Sequence, residues 1–347
     1  MKNPAQSLPR LWFREPTSPA LLPLLPLSWL FRLLVALRAA LYRRGILPVV
    51  RLPVPVVVVG NLTVGGAGKT PLTLWLAERL RESGRHPGIL SRGYGGAGRI
   101  EAVTVDSDVA AVGDEPLLLA RRSGVPVFVG RDRAAAGKAL LAAHPECDVL
   151  ISDDGLQHYR LARRVEIAVF DRRGMGNGHL LPAGPLREPP GRLAGVTAVV
   201  GNGGIIPAIP AGVPAFPMRL AGRCFVALDD PRKTCAAADL KGKTLYAAAG
   251  IGNPSRFFAQ LAGLGLEFSA HPFPDHQVFR AGDLAFARGG VLLVSEKDAV
   301  KCAGPALTEA GPAEAWALPV EACLDGAPDG ASLLSLILEK IDGRAPA

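Results

Sequence analysis

A two-part α/β fold is predicted: a parallel sheet with helices on both faces, followed by a smaller C-terminal α/β domain. Three observations carry this. After residue 54, short near-continuous Val/Ile runs alternate with helical stretches, and strands that are apolar on both faces belong to sheets buried under helices. A glycine-rich turn joins the first such run to an amphipathic helix. A Pro/Gly-rich stretch, 182–217, then interrupts the rhythm before it resumes at TLYAAAG (244–250).

Taken in order, the first fifty residues stand apart. Pro16, Pro19, Pro23 and Pro26 punctuate a Leu-rich run, which excludes one uninterrupted spanning helix there. A helix is expected from Ser28, a good N-cap, through WLFRLLVALRAALYRR, with Arg32, Arg38, Arg43 and Arg44 interrupting its apolar content. No small-residue cleavage site follows, so a signal peptide fits poorly. Two readings remain open from the residues alone. One is an interfacial helix dipping Trp29, Phe31, Leu33, Leu34, Leu37 and Leu41 into a bilayer while arginines reach phosphates; the other is a helix packed on its own domain.

Strands are expected at 54–59, 88–91, 103–105, 126–129, 148–152, 166–170 and 197–200, then at 244–250 and 291–295. This divides the chain into an N-terminal hydrophobic and basic segment (1–50), a nucleotide-binding domain (51–201) and a connecting segment (202–240). A smaller α/β domain (241–315) follows, and a return strand and C-terminal helix (316–347) pack on the body.

Composition narrows the partners. The 347 residues are 49% hydrophobic, enough for a large core, and 39 Lys plus Arg against 31 Asp plus Glu give a net charge of +8. That excess favours anionic ligands. Aromatic residues are only 6% and no basic run is interleaved with them, so nucleic acid is not expected. Five scattered cysteines form no C-x-x-C pair, which argues against a disulfide framework or zinc site.

The chemistry begins at VVVVGNLTVGGAGKTPLTLWLAERL. A buried strand, a glycine turn and a helix start expose several backbone N–H groups and the positive end of the helix to phosphates. The expected nucleotide-binding residues are Thr63, Gly65, Gly66, Ala67, Gly68, Lys69 and Thr70, with Lys69 on the β- and γ-phosphates and Thr70 on Mg2+. Thr63 stands where this P-loop pattern calls for glycine, and Gly65, Gly66 and Gly68 crowd the turn instead. A P-loop NTPase-type sheet follows, with ATP and magnesium as cofactors. The carboxylates Asp153 and Asp154, ending an apolar run, are the expected metal ligands; Gln157 and His158 follow them and are candidates for the same crevice.

Eight blocks occur in order: GNLTVGGAGKTP, SRGYGG, VGDEP, DDGLQH, LLPAGPLREP, AGIGNPSRFF, FPDHQVF and SEKDAVK. Together they resemble the tetraacyldisaccharide 4′-kinase family over nearly the whole chain. The resemblance implies transfer of the γ-phosphate of ATP to the 4′-hydroxyl of a tetraacylated glucosamine disaccharide 1-phosphate, a lipid A precursor. It also implies action at the cytoplasmic face of a bacterial inner membrane, the N-terminal helix serving as an interfacial anchor on an anionic surface, with no obligate protein partner.

Asp114, which alone reads as a helix cap in VGDEP, becomes the base, with His276 as its partner and Glu115 beside it. Arg92 and Arg187 become contacts to the γ-phosphate or the lipid phosphate. The alternative class is a P-loop ATPase or GTPase switch on a membrane partner, and a non-catalytic nucleotide-binding protein is a third. In VLLVSEKD, Glu296 breaks the register of a guanine-reading N-K-x-D, which favours ATP.

Overall fold

The computed structural model describes residues 8–14, 17–93, 96–203, 208–302, 305–324 and 332–343. Pro16 of the N-terminal run and Tyr94 and Gly95 of the SRGYGG block lie outside the described residues. Two sheets organise the chain. The larger has nine strands, in spatial order Glu321–Leu324, Ala215–Ala221, Ala198–Asn202, Val165–Asp171, Val56–Gly60, Val149–Asp153, Pro87–Ser91, Val127–Val129 and Glu101–Val103. The seven inner strands are parallel and the two edge strands antiparallel.

The valine run explains the layering. Successive side chains of a strand point to opposite faces, and Val56–Gly60 is buried throughout. Val57 and Val59 join one core with Leu72, Leu76 and Leu80 of the helix Lys69–Glu82, Leu117 of the helix Asp114–Ser123 and Ile337 of the helix Leu333–Asp342. Val56 and Val58 face the other way, against Leu140 of the helix Arg133–Ala143, Leu156, Phe170, Leu186 and Leu193. One valine strand therefore nucleates both apolar layers.

The second sheet has six strands in the order Thr234–Ala236, Cys224–Ala227, Glu314–Leu318, Val291–Ser295, Leu245–Ala249 and Ser269–Pro272, the last four parallel. The helix Pro254–Gly263 covers one face through Phe257 and Leu261, and Phe279, Leu284 and Cys302 cover the other. The stretch read from sequence as a connection carries three of the strands: Ala215–Ala221 extends the larger sheet, while Cys224–Ala227 and Thr234–Ala236 edge the smaller one. The chain returns to the larger sheet at Glu321–Leu324, whose Glu321 pairs with Ala221.

The N-terminal helix corrects two expectations. It begins at Leu25, with Pro26 in the first turn, after a 3₁₀ turn over Pro19–Leu24. Proline is tolerated at that point because the first-turn N–H groups lack helical partners anyway. Ser28 is not the cap; it is buried, and its hydroxyl donates to the Leu180 carbonyl at 2.8 Å. Over Pro19–Arg43 the segment is long and apolar enough to cross a membrane, despite its arginines.

Leu27, Trp29, Leu30, Leu33, Leu34 and Leu37 are exposed, whereas Phe31 packs inward on the body. Arg38 also turns toward the body, donating to the Gln157 carbonyl at 3.1 Å.

The C-terminal helix sits against the P-loop helix core through Leu333, Ile337 and Ile341. Ile337 is fully buried, so Ile337→Ala is expected to lower unfolding stability by about 2–5 kcal/mol. A urea unfolding midpoint that falls at unchanged slope checks this.

Candidate functional site

Both sheets end their parallel strands at one cleft, the place where open α/β sheets hold ligands. From the larger sheet come the loop after Val56–Gly60, Ser91 and Arg92, and Asp154; from the smaller come Ile251–Asn253, Asp275, His276 and Ser295–Lys297. The cavity between them measures about 380 Å³.

The glycine turn forms one wall. Gly65, Gly66, Ala67, Gly68, Lys69 and Thr70 line the cavity. Gly68, with φ 100°, lies in the left-handed region, and a Cβ there would fall 2.3 Å from Asn202 Nδ2; glycine is required on both counts. Thr63 does not line the cavity; it is buried and bridges to Leu186. Asn61 ties the loop together, its amide donating to the Gly65 carbonyl at 3.2 Å while its oxygen accepts from Lys69 Nζ at 3.0 Å. Asn202 donates to the Ala67 carbonyl at 2.9 Å and accepts from Arg256 of the second lobe at 2.6 Å. The phosphate loop is thus braced from both lobes.

The two adjacent carboxylates have different partners. Asp154, at φ 48°, lines the cavity and is held by Arg187 at 2.9 Å and Lys69 at 3.5 Å. Burial works to raise its pKa, but the charges of Lys69 and Arg187 outweigh it and hold the carboxyl below its ordinary range. Asp153 lies beneath, fully enclosed. Thr73 donates to its Oδ1 at 3.1 Å, and its Oδ2 has no hydrogen-bond partner. Burial, reinforced by the charge of Glu115, raises its pKa.

An orphaned buried carboxylate oxygen below the P-loop fits a divalent cation, and magnesium bound with nucleotide needs only one or two protein ligands. Among the described residues no cluster of three or more His, Cys, Asp or Glu forms a dedicated metal cage.

On the same lobe, beside the P-loop helix, Asp114 opens the helix Asp114–Ser123 and is 5% exposed. His276 covers it: Nδ1 lies 3.0 Å from Asp114 Oδ2 and 3.2 Å from Oδ1. His276 lines the cavity and Asp114 sits behind it. Burial alone would raise the Asp114 carboxyl; the hydrogen bond to His276 and the charge of Lys297 outweigh it and lower the pKa. The same hydrogen bond raises His276. His276 has φ 60°, a conformation costly for a non-glycine residue. Like Asp154, it is a strained residue at the cleft.

Glu115, Arg92 and Arg187 also line the cavity, and Arg92 is exposed to it. Gln157 and His158 do not. Gln157 donates to the Asn61 carbonyl at 3.3 Å and to Glu188 at 3.1 Å, bracing the loop from behind. His158 is pushed down to about 4, first by burial and then by nearby arginines, and is neutral at physiological pH.

With this geometry, the comparison with known proteins is specific. The family profile described as tetraacyldisaccharide-1-P 4′-kinase matches residues 20–341. The chain belongs to this family. A relative named tetraacyldisaccharide 4′-kinase from Azoarcus sp. (strain BH72) is 55% identical over 333 residues, covering 95% of this chain and 94% of its own. Another of that name from Dechloromonas aromatica (strain RCB) is 55% identical over 346 residues, 99% of each chain. The crystal structure described as "apo" form LpxK from Aquifex aeolicus in complex with ATP superposes with a TM-score of 0.77 at 30% identity, covering 93% of this chain and 99% of that one.

The family blocks contain residues that sequence reasoning passed over. Lys297 of SEKDAVK stands 3.0 Å from Glu115 and 3.7 Å from Asp114. Lys301 pairs with Asp298 at 2.7 Å and donates to the Gly250 carbonyl at 3.0 Å. Arg256 of AGIGNPSRFF reaches Asn202. Their only sequence signal was membership of a block; a lone cation on a short helix has no spacing to read.

The Asp114–His276 contact predicts a pH window. His276, raised above 6.5, contributes stability that is complete below 6.5 and lost as pH rises through its folded value. Asp114, lowered below 3.8, contributes stability that is complete above 3.8 and lost as pH falls through its folded value. The stability gap between wild type and His276→Gln is therefore expected to be widest between those limits. It should narrow as pH is raised from about 5.5 to about 9, read as urea midpoints; a gap constant over that range contradicts the assignment.

Proposed function

We propose that this chain transfers the γ-phosphate of ATP to the 4′-hydroxyl of a tetraacylated glucosamine disaccharide 1-phosphate in lipid A biosynthesis. The observation that carries the reading is the Asp114–His276 pair, closed at 3.0 Å across a cleft whose facing wall is the P-loop. A P-loop alone binds nucleotide, and the pair adds a group that can accept the proton of an attacking hydroxyl. Family membership supports the same activity and its acceptor.

In this reading the glycine turn and Lys69 hold the β- and γ-phosphates. Thr70 and Asp153 would hold magnesium, which supplies neutralisation of the phosphate charge when bound. Asp154, which lines the cavity beside Asp153, also keeps Lys69 and Arg187 in place. The 4′-hydroxyl loses its proton to the Asp114–His276 pair as its oxygen bonds to phosphorus and the bond to ADP breaks. The pair accepts that proton in its singly negative form, with carboxylate and neutral imidazole. Arg92, exposed in the cleft, and Arg187 are the cations for the γ-phosphate or the lipid 1-phosphate. The two sheets act as two lobes, and their closure keeps out water, the competing acceptor.

The Pro19–Arg43 segment is the membrane contact, at the cytoplasmic face of the inner membrane. Its exposed leucines and Trp29 lie in the interface, while Arg32, Arg43 and Arg44, also exposed, meet anionic headgroups. Substrate acyl chains then stay in the bilayer during reaction.

Labelled ATP with the tetraacyl disaccharide 1-phosphate in detergent micelles is expected to yield the 4′-phosphorylated lipid. Asp114→Ala should lower the rate by at least about 10²-fold, in the range of general-base contributions, with ATP binding kept. ATP hydrolysis that proceeds equally without lipid, and labels none, would overturn the kinase reading. For the anchor, Leu33→Ser with Leu37→Ser is expected to leave thermal stability unchanged, because both side chains are exposed. The same double variant should reduce co-sedimentation with vesicles containing anionic lipid.

A further inference from the structure

Three cationic or protonatable groups converge on one oxygen. Asp114 Oδ2 lies 3.0 Å from His276 Nδ1, 3.7 Å from Lys297 Nζ and 4.0 Å from Lys301 Nζ. The two ammoniums come from the second lobe. Lys297 follows the strand Val291–Ser295 on the short helix Glu296–Ala299, and Lys301 is buried just beyond it.

Their surroundings differ. Lys301 is committed elsewhere, to Asp298 at 2.7 Å and the Gly250 carbonyl at 3.0 Å. Lys297 sits among acidic groups that belong to the cleft itself: Glu115 at 3.0 Å, Asp114 at 3.7 Å and Asp275 at 3.7 Å. Asp275 also lies 3.8 Å from His276 Nε2. The preceding residue, Glu296, is paired with Arg122 across the lobes and is not free to answer Lys297. Lys297 therefore reaches the catalytic carboxylate only when the lobes meet, at the same oxygen that His276 contacts.

We propose that Lys297 is the positioning residue that keeps the Asp114–His276 pair in its proton-accepting form, acting through the shared Asp114 oxygen. The reasoning is electrostatic. A carboxylate beside an imidazole favours imidazolium, and a pair that already holds this extra proton has no room for the one released by the hydroxyl. A fixed ammonium on the same oxygen opposes that second cation and keeps the imidazole neutral to lower pH. Glu115 works against this by drawing the ammonium's charge to itself. The ammonium also gives that Asp114 oxygen a second fixed neighbour, which helps to hold the carboxylate in orientation. Lys301 supplies a weaker, constant share of the same field.

The inference rests on the proposed role of the pair, and its test separates the two. Lys297→Met, Lys297→Arg, Glu115→Gln and Asp114→Asn would be compared with wild type in the full-length enzyme in micelles. Two readouts are followed: kcat and KM for ATP against pH, and the His276 imidazole titration by NMR in histidine-labelled protein. Lys297→Met is expected to move the His276 midpoint and the acid limb of kcat to higher pH by about one unit, the size of a neighbouring-charge effect. Its rate should fall about ten-fold near neutrality and recover at higher pH, with KM for ATP little changed.

Lys297→Arg should keep the wild-type profile. Glu115→Gln should move both midpoints the opposite way, and this arm decides the matter even where Lys297→Met fails to fold. Unchanged midpoints in Lys297→Met and Glu115→Gln overturn the proposal. So does a raised KM for ATP with the limb in place, which would make Lys297 a nucleotide contact. If Asp114→Asn keeps both rate and acid limb, the role of the pair itself is wrong.

Discussion

Asp114 and His276 are 162 residues apart in sequence and meet at 3.0 Å. Their contact exists because two parallel sheets turn their carboxyl edges toward each other. Parallel strands need crossover connections, which leave the loops after each strand gathered at one edge. Here one edge delivers the phosphate loop and the paired aspartates, and the other delivers the histidine and Lys297. Neither sheet alone holds both partners of the Asp114–His276 contact.

Bringing so many charges together imposes its own order. The carboxylates divide between two cationic groups: Asp154 has Lys69 and Arg187, Asp114 has His276 and Lys297, which Asp275 shares, and Asp153 keeps one oxygen unpaired in a closed space. The result is one strongly ionised carboxylate on the cleft wall and one below it with its protonation favoured. The strained backbone at Asp154 and His276 belongs to the same arrangement, since both residues are held by ion pairs that a relaxed conformation would have to give up.

Much of this was legible beforehand, for reasons that can be named. The valine strand Val56–Gly60 and the helix Lys69–Glu82 declare themselves by period, and the glycines between them by what a phosphate needs. The strand Ala215–Ala221 did not, because Pro214 and Pro217 mask a run whose burial is decided by its neighbour Ala198–Asn202. Ser28 was misread as a cap because the preceding prolines look like breakers, when Pro26 is simply a first-turn residue. Asn202, Arg256 and Lys297 were invisible as single residues, since each matters through a partner far away in sequence, and Asn61 only through the fold of the loop it ties together. The inward turn of Phe31 is equally a product of tertiary packing, since nothing local distinguishes it from Leu30.

The register of Glu321 against Ala221 has a further meaning. The second sheet leaves the first at Ala221 and returns at Glu321, two residues that lie side by side. Everything between is a module plugged into one edge of the larger sheet through two adjacent leads. It is also the form that a single genetic insertion would leave behind, with His276 arriving as part of the inserted piece.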